Sequence, residues 1–336
     1  MIPSILKETI KNAIKNKDNL LIYSEPGTGK TQITEQAHDE TNTPYILTHP
    51  ALSDPTDYKG FPITYKDAEG NQRATFIPFD DLLKMINVTE RTGVIFDDFG
   101  QAVEGVQAPA MQLIHGGRLN GYTISDEIVF FILTNRRQDM AGVKGILEPV
   151  KSRVVSSIHA ETDLDDWTKY AIQKDFAFET IAFNRWKKNA LLDFKPTKDM
   201  TNSPCPRTWE AVSKILLHSY PKEAELEMIS GAIGEGMAVE FYAFVKMART
   251  LPDPDLILLR PDEGKIPKEP STLYALCGAL ATKATEQTFN NIVKYSNRLP
   301  SEFSVMLIVD CITHNKALVK TKPFVEWNLK HQDVLI

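Results

Sequence analysis

The eight residues Ser24-Glu25-Pro26-Gly27-Thr28-Gly29-Lys30-Thr31 constrain this chain more than any other stretch. They follow an apolar run at 19–23 that reads as a buried strand, and they open into a helical pattern at 30–40. Strand, glycine-bearing turn and helix together form a setting in which backbone N–H groups and a helix N-terminus converge on phosphate oxygens. Gly27 and Gly29 let the backbone close around those oxygens without a Cβ in the way. In such a loop Lys30 pairs with the β- and γ-phosphates and the Thr31 hydroxyl binds magnesium. The contact segment runs through Pro26, Gly27, Thr28, Gly29, Lys30 and Thr31 to Gln32. The strict pattern begins with glycine, where this chain has Ser24.

Further short apolar runs lie at 45–48, 93–96, 128–133 and 154–158, with helical patterns between them, notably at 101–115 and 148–152. Fully apolar strands separated by helices indicate a parallel sheet covered on both faces. After Ala160 the pattern becomes helical, at 163–174, 179–194, 206–218, 223–247, 272–283 and 286–296, continuing towards the C-terminus. Proline-rich stretches at 195–206 and 251–270 read as connectors. The expected architecture is an α/β nucleotide-binding domain at 1–160, an all-α lid at 161–250 and a C-terminal helical extension at 251–336.

Composition narrows the class. The chain is 42% hydrophobic and 24% charged, a globular profile. Its net charge of -6 weighs against a dedicated nucleic-acid binder, because phosphate neutralisation supplies most of such a protein's affinity. A local basic stripe is still compatible with that balance. No apolar run is long enough to span a bilayer, and the first residues form an amphipathic helical pattern without a cleavage site. Cys205, Cys277 and Cys311 are far apart, and the seven histidines form no metal constellation. A cytoplasmic protein with inert buried thiols is expected.

The run at 93–96 ends in Asp97-Asp98. After a phosphate loop, the first carboxylate fits a residue holding magnesium directly or through water. The second would polarise an attacking water. Thr134-Asn135 follows at the end of the apolar run 128–133. An asparagine there either orients water or initiates a turn. Arg153, just before the fifth strand, is either a surface charge or a group reaching a neighbouring subunit's nucleotide. Arg207 opens a helix, where a cation opposes the helix dipole and so suggests another purpose.

The order of these elements resembles the AAA+ superfamily, and more narrowly its MoxR-like branch, from the first helix to about Trp209. The segment from His49 to Pro62 resembles that branch's approach to its helix-2 insert, and residues 64–77 would be the insert hairpin, turning near Glu69-Gly70-Asn71. Residues 111–124 resemble its helix and hairpin before sensor 1. Asp165-Asp166-Trp167 and Pro206-Arg207-Thr208-Trp209 resemble its lid region. The resemblance implies ATP and magnesium as ligands, Asn135 as sensor 1, Arg153 as the arginine finger and Arg207 as sensor 2. It implies a homo-oligomeric ring, most often of six, and chaperone-like action on a protein partner such as one bearing a von Willebrand factor A domain. A nucleic-acid motor and a slowly hydrolysing, nucleotide-gated scaffold stay open as alternatives. The family usually has glutamate where this chain has Asp98, which makes the base one methylene shorter.

Overall fold

The computed structural model describes residues 1–196, 200–218 and 220–331. The connector read at 195–206 and the C-terminal helical pattern therefore each run partly outside the described residues. The chain forms two compact units, Met1–Thr162 and Asp163–Ile336.

The first unit is built on a five-stranded parallel sheet. In chain order the strands of this unit are β1 (Leu20–Ser24), β2 (Tyr45–Thr48), β3 (Phe61–Lys66), β4 (Gln72–Ile77), β5 (Thr92–Phe96), β6 (Arg118–Leu119), β7 (Tyr122–Thr123), β8 (Ile128–Asn135) and β9 (Ser156–His159). The main sheet runs β2-β5-β8-β1-β9, every pair parallel. Successive residues of a strand face opposite sides, and both sides here are apolar. Val129, Phe131 and Leu133 of β8 join Ile22 and Ile95 in one core, with Leu6 and Ile10 of the first helix, Pro3–Asn16. Ile128, Phe130 and Ile132 join Leu21, Val94 and Phe96 in the other, with Val106, Ala110 and Leu113 of the helix Glu104–Gly116. This is the α/β architecture expected from uninterrupted apolar strands, with a helical region following it.

Two small hairpins project from this unit. β3 and β4 pair antiparallel from Phe61↔Ile77 to Lys66↔Gln72. Asp67 closes the turn, taking the Asn71 amide N–H at 2.7 Å and Arg73 Nε at 2.9 Å. β6 and β7 turn through Asn120 and Gly121, both at positive φ as a two-residue hairpin loop requires. Tyr122 Oη donates to Phe76 O at 2.7 Å and Asn120 Nδ2 to Lys59 O at 2.7 Å, which joins the two hairpins.

The second unit is helical among its described residues and has two apolar clusters. One centres on Phe183, Trp209 and Phe241, and the other on Leu276, Phe289, Tyr295 and Trp327. The helix expected at 179–194 ends at Trp186, where Lys187 leaves helical geometry and a 3₁₀ turn, Lys188–Ala190, follows. The pattern at 223–247 is two helices, Lys222–Ile233 and Glu235–Ala248, parted by Gly234 at φ +79°. The connector at 251–270 contains a short helix, Pro254–Leu259, capped by Asp253. On the helix Asp80–Ile86, Leu82 and Met85 are buried and Leu83 is exposed, although apolar spacing alone would place all three in the core.

Candidate active site

The strand order decides what meets at the strand tips. β8 lies between β5 and β1, and its register with β1 sets Asn135 opposite Ser24. Asp97 and Asp98 follow directly after β5, whose Phe96 pairs with Ile132. Three separate stretches of sequence thus deliver Lys30, Asp97, Asp98 and Asn135 to one place.

Gly27 and Gly29 have φ of +77° and +93°, the left-handed region that glycine enters at no steric cost. Gly29 caps the helix Lys30–Thr41, so that helix's first N–H groups open onto the loop. A Cβ at Gly29 would meet only Gln32 Oε1, at 3.7 Å, so it is the backbone angle that calls for glycine there. Thr28 and Lys30 are buried, and Gln32 is exposed.

Lys30 Nζ donates to Ser24 Oγ at 3.0 Å, Glu25 O at 3.2 Å and Asn135 Oδ1 at 2.9 Å. Asn135 Nδ2 in turn donates to Asp98 Oδ1 at 3.1 Å. One carboxamide thereby holds the loop's cation with its oxygen and the second carboxylate with its nitrogen. Gln101 Nε2 adds a further donor to Asp98 Oδ1 at 3.2 Å. Thr31 Oγ1 donates to Asp97 Oδ2 at 2.9 Å. A hydroxyl beside a carboxylate is an all-oxygen donor set that suits a small hard cation such as magnesium. The donors fit the ion that the sequence pattern implies.

Asp98 sits at φ +53° and begins the 3₁₀ turn Phe99–Gln101. Its neighbour Gly100 is glycine because a Cβ would lie 2.3 Å from Thr134 Oγ1.

Sequence reasoning missed an ion-pair cluster beside the loop. Arg136 Nη1 lies 2.7 Å from Glu25 Oε1, and its Nε and Nη2 reach both oxygens of buried Asp139 at 2.7–3.2 Å. Asp139 first, and then Glu25, hold the guanidinium's pKa above its ordinary value. The Arg136 amide also donates to Ser24 O at 3.3 Å. The available signal was position alone, an arginine directly after Asn135.

Of the two remaining candidate arginines, Arg153 is in the first unit and outside this cluster. Arg153 Nη1 bonds Pro149 O at 2.6 Å, and its buried Nε has no hydrogen-bond partner among the described residues. The Val155 amide bonds Asn19 O, and Ser156 is paired with Leu20, the first residue of β1. Arg153 therefore lies at the end of the sheet opposite the loop, which begins four strand residues further along β1, roughly 13 Å away. Arg207 is in the second unit, exposed in the first turn of the helix Pro206–Leu217.

No protein-family model and no curated protein matches the sequence. Among solved structures, the Thermotoga maritima RuvB Holliday junction branch migration motor is 12% identical, covering 97% of this chain and 87% of that one, with a TM-score of 0.36. NtrX from Brucella abortus, in complex with ADP, is 13% identical, covering 98% and 67%, also at 0.36. At such scores these likenesses carry no weight for this chain. Among the described residues no group of histidine, cysteine or carboxylate side chains forms a metal cluster, and no helix is long and apolar enough to cross a membrane.

Proposed function

We propose that this chain is an ATP-hydrolysing ATPase of the AAA+ type, MoxR-like, that acts as a head-to-tail ring and remodels a macromolecular partner. A ring of six and a protein partner, including one with a von Willebrand factor A domain, follow from the resemblance. The acidic net charge weighs against nucleic acid as the partner.

The observation that carries the reading is the bridge from Lys30 through Asn135 to Asp98. It sets a cation, a carboxamide and a carboxylate at adjoining strand tips beside a glycine loop with open backbone donors. In the proposed chemistry Lys30 exchanges its internal acceptors for phosphate oxygens. Asp98 accepts the proton of the attacking water, and Asn135 orients that water. Thr31 and Asp97 would hold magnesium, which when bound neutralises charge on the phosphates. The position of Arg153 at the far end of the sheet supports a role on a neighbouring subunit's nucleotide. A rigid guanidinium fork suits the charge that builds on a phosphoryl group.

Two variants test the site. Lys30→Ala should raise the Kd for MgATP about 100-fold in calorimetry, with helix content unchanged by circular dichroism. An unchanged affinity would remove the phosphate-loop assignment. Asp98→Asn should bind MgATP but lower single-turnover hydrolysis by about 10²–10⁴-fold. Wild-type turnover in that variant would move the general base to another residue.

A further inference from the structure

Ser24 stands where the strict loop pattern has glycine, and it is fully buried. Its Oγ lies 2.5 Å from Thr28 Oγ1, 3.0 Å from Glu25 O and 3.0 Å from Lys30 Nζ. An ammonium has three N–H donors and no acceptor. Lys30 makes a hydrogen bond to each of three acceptors, Ser24 Oγ, Glu25 O and Asn135 Oδ1. The hydroxyl protons have places as well. Thr28 Oγ1 donates to Glu25 O at 3.1 Å, and Ser24 Oγ, with its lone pairs turned to Lys30, directs its own proton to Glu25 O or Thr28 Oγ1. The backbone carbonyl and the carboxamide do not depend on which residue occupies position 24. The third acceptor exists only because that residue is serine.

We propose that Ser24 is a positioning residue that competes with nucleotide phosphate for Lys30 and so weakens the loop's affinity for nucleotide. The inference rests on reading residues 24–31 as a phosphate-binding loop. A phosphate oxygen that takes an N–H of Lys30 displaces one of the three internal acceptors. All three acceptors are uncharged, but the hydroxyl is already shared with Thr28 and can rotate away, so it is the one most readily given up. Deleting it removes one acceptor from the buried ammonium, and that loss is felt only while no phosphate takes its place. The loss therefore falls on the empty protein and appears as a gain in binding.

The experiment is calorimetric titration of wild type, Ser24→Ala and Ser24→Gly with MgADP and with MgATP, paired with thermal melting with and without nucleotide. Both variants should bind MgATP about three- to tenfold more tightly. Their nucleotide-free melting point should fall while the nucleotide-induced rise grows. A hydroxyl that merely braces the loop would lower the nucleotide-free melting point as well, but its loss would weaken binding and shrink the nucleotide-induced rise. If Ser24→Ala does not fold, Ser24→Gly carries the same test with the residue usual at this position. Unchanged or weaker binding in the folded variants, beside normal binding by wild type, overturns this inference alone. Wild-type protein that binds neither nucleotide overturns the phosphate-loop reading and the inference with it.

Discussion

In the first unit buried Ser24, Lys30 and Asn135 bond one another at the strand tips in a chain that ends on Asp98. In the second unit, charge pairs tie helix to helix. Arg185 grips buried Asp310, with Nη2–Oδ1 at 2.7 Å, and Arg249 Nη1 lies 3.0 Å from Glu225 Oε2. Both regions bury hydrogen-bonded charged groups, but to different use. The tip cluster consists of bonds a phosphate could replace one by one. The helix pairs have no exchange partner in prospect, and breaking one strands a charge in low dielectric.

The comparison fails most visibly if the first unit proves chemically complete on its own, and Arg153 tests that. Arg153→Ala should lower turnover by about 10³–10⁵-fold, some 4–7 kcal/mol of transition-state stabilisation. Asp98→Asn should be nearly inactive too. Mixed, the two should recover activity that peaks at intermediate ratios, because an intact site of one then meets an intact arginine of the other. Energy transfer between labelled chains verifies subunit exchange. With exchange confirmed, no rescue at any ratio means that Arg153 does not act across a subunit boundary.

The second unit offers the next largest effect. Arg185→Ala leaves the Asp310 carboxylate buried without its guanidinium and should cost about 3–5 kcal/mol of stability in denaturant unfolding. Nucleotide Kd below the transition should stay at the wild-type value. A parallel loss of nucleotide affinity would show the charge pair serving the site and erase the distinction drawn here.

The smallest effect concerns His38, fully buried on the helix that follows the loop, with Nδ1 2.8 Å from Thr34 O. Its ring abuts Gly93, where a Cβ would come within 1.9 Å of Nε2. Burial holds its pKa below the ordinary 6.5, against an opposing pull from the Thr34 carbonyl. The unfolded chain therefore takes up a proton below about pH 6.5 that the folded chain refuses. Stability should be full above that value and decline as the pH falls below it. His314, lowered by burial as well, contributes in the same direction. His38→Gln should flatten the melting curve's slope between pH 5 and about 6.5 relative to wild type. An identical slope would assign the titration elsewhere.

The sheet was legible because its strands are apolar on both faces, so β1, β2 and β5 show in sequence as short unbroken runs. Less legible was where β8 ends. Thr134 and Asn135 are polar, yet both continue the strand, because Tyr23 and Ser24 keep pairing with them. Hydrophobic patterning does not register a polar residue buried at a strand tip, although the site is made of such residues. Motif spacing pointed to Lys30 and Asp97 as residues of one site. The link from Glu25 to Arg136 did not, since each has an unremarkable local context and they meet only because β8 is inserted beside β1. In the helical unit, amphipathic patterning ran past Trp186, since periodicity continues across a helix end that only backbone angles reveal.

The left-handed backbone at Asp98 bears on which substitutions that position admits. Aspartate, asparagine and glycine visit this conformation readily, whereas a longer unbranched side chain gives up about 1–2 kcal/mol there. Asparagine replaces the carboxylate without disturbing the turn, so Asp98→Asn separates chemistry from folding cleanly. Glutamate would extend the reach by one methylene while straining the turn that holds Gln101 against the carboxylate. The short acid and the tight turn form one heritable unit, and lengthening the arm requires the turn to relax first.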